Sequence, residues 1–208
     1  SAFPDQQTDA GNFTRNRIVI PVPPAGKTPL LYPIDFQLRI NAGYRIPAWP
    51  GNILRLTGTP GDLYSAALML VLPQNWNGGA LSFSALKGKN KVLPAENIQL
   101  LEAVSPGCNP ENKLSAWMLV APDTATMRSG EIVPLIYQLK IPDDMPAGLY
   151  SGEIVFGMVK LPVELQVLPF QLPKLAESAG FYVPGHFYRE NSVGCYRNFA
   201  FPGWTRGN

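Results

Sequence analysis

Residues 159–167 alternate without a break. Val159, Leu161, Val163, Leu165 and Val167 fall on one parity, with Lys160, Pro162, Glu164 and Gln166 on the other. A two-residue period sends successive side chains to opposite faces of an extended chain, so this segment is a strand with one face in a core and one in water. It is no helix. Pro162 has no N–H to give to a ladder, which predicts an edge position or a bulge there. Residues Ser151 to Phe156 precede it across Gly157-Met158, a Gly-first pair suited to a tight type II′ hairpin turn.

The same period recurs upstream. Ile34, Phe36, Leu38 and Ile40 alternate with Asp35, Gln37, Arg39 and Asn41, and Leu81, Phe83 and Ala85 alternate with Ser82 and Ser84. Further strands are expected over 17–22, 53–57, 64–72, 97–104, 114–121 and 133–141, with 64–72 the most buried. About ten strands separated by turn residues, and no helical period, predict an all-β protein: an antiparallel, Ig-like two-sheet β-sandwich. The sandwich is expected over residues 1–173. The 22 prolines and 19 glycines among 208 residues supply the turns.

Alternation stops after Phe170-Gln171-Leu172-Pro173. Residues 174–208 form a linker and an irregular, aromatic-rich C-terminal segment carrying Phe181, Tyr182, Phe187, Tyr188, Tyr196, Phe199, Phe201 and Trp204. So many large apolar rings need a surface to cover, and these eight are the expected interface with another domain or partner, self-association included.

Charge and hydropathy exclude some classes of function. The net charge is +2 and the basic residues are scattered, so no phosphate-tracking surface for nucleic acid is expected. The longest apolar run, Ala66 to Leu72, is closed by Pro73 and is far short of the roughly 20 residues of a membrane span. Cys108 and Cys195 are the only cysteines, and a single long-range disulfide between them is one of the two states open to them.

No residue pattern announces a catalytic centre. His186 is the sole histidine and lacks a nucleophile-elbow motif around a serine; it reads as a hydrogen-bonding turn residue. One His and two distant Cys give no metal-ligand spacing, so no metal and no cofactor are expected. Asp143-Asp144 lie between Pro142 and Pro146 and read as turn residues, not as an acid pair. Lys87, Lys89 and Lys91 read as a solvated basic hairpin loop. The exception is Trp76 in Gln74-Asn75-Trp76-Asn77-Gly78-Gly79. An indole on a polar loop can stack on the apolar face of a sugar while Asn75 and Asn77 bond its hydroxyls, or it can fold back on the sandwich edge. Trp49, between Ala48 and Pro50, poses the same choice.

Three segments together carry a resemblance: Ile141-Pro142-Asp143-Asp144-Met145-Pro146-Ala147-Gly148-Leu149-Tyr150-Ser151-Gly152, the strand Leu161 to Val167, and Leu168-Pro169-Phe170-Gln171-Leu172-Pro173. They resemble the end of the N-terminal β-sandwich of large exported glycoside hydrolase-like proteins, those similar to glycoside hydrolase family 123 included. Asp35 to Ile40 and Trp117 to Pro122 look like earlier strands of that architecture. Within the motif Pro146 pre-sets φ, Gly148 is free to take a positive φ, Gly152 permits close approach, and Tyr150 packs between them.

In that family a catalytic barrel follows the sandwich, and Gly180-Phe181-Tyr182-Val183-Pro184 resembles its opening strand. The rest of such a barrel, typically about 250 residues, lies outside this chain, and no catalytic residue is carried over. The resemblance implies an exported, non-catalytic accessory domain of a glycan-processing protein, partnered by a barrel of the same or another chain. Two alternatives stand beside it: a free-standing carbohydrate-binding module, and a structural or assembly subunit using the aromatic segment as its interface.

Overall fold

The alternating strand and the segment before it pair as the expected hairpin. β13 (Gly148–Phe156) and β14 (Val159–Val167) run antiparallel from Phe156 opposite Val159 to Gly148 opposite Val167. Gly157 opens the turn at φ +58°, a conformation that a side chain would strain. The computed structural model describes residues 17–20, 23–35, 40–41, 44–48, 50–104, 113–114 and 118–171. Cys108, Trp49, Trp117, His186, Cys195 and the whole C-terminal aromatic set fall outside these residues.

The remaining described strands are β1 (Ile18–Val19), β2 (Leu30–Ile34), β3 (Ile40–Asn41), β4 (Leu54–Gly58), β5 (Leu63–Val71), β6 (Leu81–Phe83), β7 (Leu86–Lys87), β8 (Val92–Leu93), β9 (Ile98–Val104), β10 (Lys113–Leu114), β11 (Met118–Val120) and β12 (Glu131–Lys140). One six-stranded sheet has the order β11-β9-β12-β5-β2, with β1 also pairing β12; the other has the order β4-β14-β13-β7-β8, with β6 also pairing β13. β3 and β10 form a separate two-stranded ribbon. The protein is an all-β sandwich of two mostly antiparallel sheets.

The core lies between the sheets. Leu68, Leu70, Leu72, Val133, Leu135 and Tyr137 of the first sheet meet Leu54, Leu56, Ile154, Phe156, Leu161, Val163 and Leu165 of the second. β5 is buried on both faces over its second half: Leu68 and Leu70 point inward, while Met69 and Val71 join Ile18, Ile20, Tyr32 and Ile132 in a smaller cluster on the outer face. This double burial is why 66–72 reads as a continuous apolar run.

The segment expected as one strand over 114–121 supplies two, Leu114 in β10 and Met118–Val120 in β11, which pair in different sheets, and three further details depart from the sequence expectation. β4 pairs β14 in parallel, Leu54 opposite Val163 through Gly58 opposite Val167, so the sheets are not wholly antiparallel. A hundred residues separate the two strands, ample for the crossover that a parallel pair needs. The stretch expected as one strand over 34–40 is not one: β2 ends at Ile34, and Ile40 belongs to β3, which pairs β10 instead of β5. Leu30 and Leu31 find apolar partners opposite Val71 and Leu70, which sets the register of β2 earlier in the chain. The strand expected over 81–85 stops at Phe83, where Ser84 turns its hydroxyl to the N–H of Glu153 at 2.9 Å.

Pro162 sits opposite Glu153, one residue before β4 begins to pair β14 at Val163. β14 is therefore interior over 163–167 and open on its β4 side at Pro162, which is where a residue without an N–H fits.

Candidate functional site

The site is built where β5 ends and β12 begins. Val71 lies opposite Ile132, and the ladder continues one step further: Leu72 N–H donates to Glu131 O at 2.9 Å and Gly130 N–H to Leu72 O at 3.1 Å. The loop leaving β5 and the loop entering β12 are thus held side by side. Thr124, Ala125, Met127, Arg128 and Ser129 of the second face Trp76, Asn77 and Gly78 of the first across a cleft of about 440 Å³.

Each wall is fixed from within. Trp76 is partly buried and its indole stacks on the core residue Phe156, ring centroids 5.9 Å apart and planes 16° from parallel. Its carbonyl accepts a hydrogen bond from Ser129 Oγ at 3.1 Å, which bridges the walls. On the other side Asp123 caps a short 3-10 turn over Thr124–Thr126, accepting from Ala125 N–H at 3.2 Å. Met127 is buried in the main core and anchors that wall.

Beneath this wall lies an ion pair that sequence reading missed. Glu102 stands opposite Leu135, a core residue, so its side chain points between the sheets. Arg17 reaches it with Nε at 2.8 Å and Nη2 at 3.0 Å, and both side chains are at most 3% exposed. Arg17 also donates to Glu131 Oε2 at 3.4 Å and to the carbonyl of Asp123 at 3.3 Å, tying the cleft wall to β9. Burial pulls the Arg17 pKa down, but hydrogen bonds and charge from Glu102 and Glu131 outweigh it and the net direction is up.

Arg128 at the cleft differs. Its Nη1 donates to the carbonyls of Ala125 and Met127, both at 3.1 Å, and among the described residues no carboxylate pairs with its guanidinium. Glu131 Oε2 instead accepts the backbone N–H of Arg128 at 2.7 Å.

Of the residues expected to contact sugar, Trp76 and Asn77 line the cleft. Asn75 does not; its N–H donates to Gly26 O at 3.2 Å. Of the two alternatives for Trp76 the structure shows the indole folded back on the sandwich, where it also forms a wall of the cleft. The opposite wall was not foreseen.

The neighbouring acid pair separates as its sequence suggested. Asp143 accepts from Gln171 Nε2 at 3.1 Å, while Asp144 pairs with Lys91 of the 87–91 loop. Among the described residues no three His, Cys, Asp or Glu side chains gather as a metal would need. No helix among them is long and apolar enough to cross a membrane.

No family model matches the chain, and neither does any curated protein sequence. Solved structures do. A family 123 glycoside hydrolase from Clostridium perfringens, described for its glycolipid glycan hydrolysis, aligns over 70% of this chain with a TM-score of 0.52 and 16% identity. The match covers 28% of that enzyme, and at this identity the likeness is one of fold. Domains 4 and 5 of the S-layer protein SbsC align over 68% of this chain and 54% of theirs, with 10% identity and a TM-score of 0.27.

Proposed function

We propose that this chain is a non-catalytic accessory β-sandwich of an exported, glycoside hydrolase-like protein, serving to support and orient a catalytic barrel of the same or another polypeptide. The observation that carries this reading is the fold likeness to a minor portion of a family 123 glycoside hydrolase. It agrees with the Pro146 to Gly152 motif, which was read independently from the sequence.

The duties of the described carboxylates support a structural role. Glu102 and Glu131 hold Arg17, Asp144 holds Lys91, Glu153 holds Lys160 at 3.1 Å, and Glu164 holds Arg55 at 3.2 Å. General acid and base catalysis needs carboxyl groups converging on one substrate position, and these are dispersed over both sheets and their loops. The test is a panel of aryl glycosides incubated with the 208-residue protein. Release of aryl alcohol no faster than in buffer is expected; turnover abolished by one carboxylate substitution overturns the reading.

A second reading, a carbohydrate-binding module, is favoured by the cleft itself, which joins an aromatic wall to hydroxyl and amide groups. Saturable sugar binding that is lost in Trp76→Ala, with the fold retained, is its signature.

A further inference from the structure

Four of the described cationic side chains are neutralised by carboxylates. Arg55 faces Glu164, Lys91 faces Asp144, Lys160 faces Glu153, and the buried Arg17 has two carboxylates. Arg128 has no such carboxylate, and what sets it apart is that it lines the cleft with its guanidinium held in place. Two main-chain carbonyls hold Nη1, so the plane of the guanidinium is set without cancelling its charge. Nε and Nη2 have no partner among the described residues. An arginine fixed in this way has already lost much of the side-chain freedom that binding would otherwise cost, and it presents a two-pronged donor to a planar oxyanion.

Trp76 closes the opposite side. Phe156 backs its ring, and the Ser129 hydroxyl fastens its carbonyl, so the indole is held in place before any ligand arrives. Thr124 and Asn77 add a hydroxyl and an amide to the lining. At about 440 Å³ the cleft is in the range of small-ligand sites, roughly 300–1,000 Å³. A ligand matching these groups has an apolar ring face, several hydroxyls and one carboxylate.

We infer that the cleft between Trp76 and Arg128 binds an acidic saccharide, a uronate residue stacking on Trp76 with its carboxylate against Arg128. The inference rests on the second reading above, that the cleft binds carbohydrate, and adds the charge of the sugar. It is independent of the accessory-domain reading.

The test is calorimetric titration of the 208-residue protein with a galacturonate oligosaccharide and with its methyl-esterified, uncharged counterpart. The acidic form should bind saturably and at least tenfold more tightly than the ester, with affinity falling as salt is raised. Arg128→Gln should erase that preference. Arg128→Lys, which keeps the charge but not the fork, should retain part of it. Trp76→Phe, which keeps a ring on Phe156, should weaken both forms. Far-UV circular dichroism checks that each variant is folded. Equal binding of acid and ester overturns the acidic assignment and leaves a neutral-sugar cleft. A preference that survives in Arg128→Gln overturns the role of Arg128. Absence of saturable binding to both forms overturns the inference; titration with neutral oligosaccharides then decides whether the carbohydrate reading falls with it.

Discussion

The hydroxyl of Tyr150 donates a hydrogen bond of 2.8 Å to the carbonyl of Pro146, four residues upstream. The tyrosine is 3% exposed and its ring lies against Gly88, where an added Cβ would collide with it. The turn from Pro146 to Gly148 and the first inward residue of β13 are thereby locked together, in the manner of the tyrosine corner of β-sandwiches.

Tyr150→Phe removes that bond and leaves the ring in place. Because Pro146 is exposed and its carbonyl can turn to water, the cost is that of one ordinary hydrogen bond, about 1 kcal/mol. Thermal unfolding should show the midpoint falling by about 2–4 °C for a domain of this size.

Gly152→Ala should cost more. A Cβ at this position would lie 2.7 Å from Leu86 Cδ2, 2.7 Å from Ser84 Oγ and 2.9 Å from the Ala85 carbonyl, so backbone as well as side chain must yield. Overpacking of this kind costs about 1–3 kcal/mol. Ala at Gly148, where φ is +153° but nothing lies within 4 Å, serves as the comparison that carries backbone strain without collision. Urea midpoints of the two variants separate the effects.

Arg17→Met takes from the buried Glu102 the guanidinium that meets it at 2.8 Å, and should destabilise the fold by about 3–5 kcal/mol in urea titration. Replacing both residues, as Arg17→Met with Glu102→Leu, should recover most of that loss, because the penalty comes from keeping a buried carboxylate after its guanidinium is removed and not from the absence of the pair.

Asp144 gives a pH signature. The hydrogen bond and charge of Lys91 hold its carboxyl below the usual carboxylate range. A folded-state pKa that is depressed means stability present above the unfolded value, about 3.9, and lost as pH falls through the folded one. In a carboxyl-detected NMR titration the Asp144 midpoint should rise toward the ordinary value in Lys91→Met.

Much of the fold was legible in side-chain parity, which reports which way residues face. That suffices for the β13–β14 hairpin, where Gly157 also gives the turn, and for β5, whose unbroken apolar run signals burial on both sides. Parity does not report which strand lies alongside, so the parallel β4–β14 pair went unseen, as did the break between Ile34 and Ile40. Glu102 left a trace, being the one charge within the apolar strand Ile98–Val104, but its partner Arg17 is 85 positions away and no spacing rule joins them. At the cleft, Trp76 and Asn77 were recognisable by type. Thr124, Arg128 and Ser129 were not, because they reach Trp76 only through the register that sets Val71 opposite Ile132.

The central claim is that this sandwich works as a part of a larger glycan-processing protein. Intact-mass spectrometry of the polypeptide produced by its native source tests this most directly. The account predicts a mass well above the 22.7 kDa of these 208 residues, by roughly the size of a catalytic barrel, or a stable complex with a separate barrel chain. A native product of 22.7 kDa that is isolated without any such partner would contradict it.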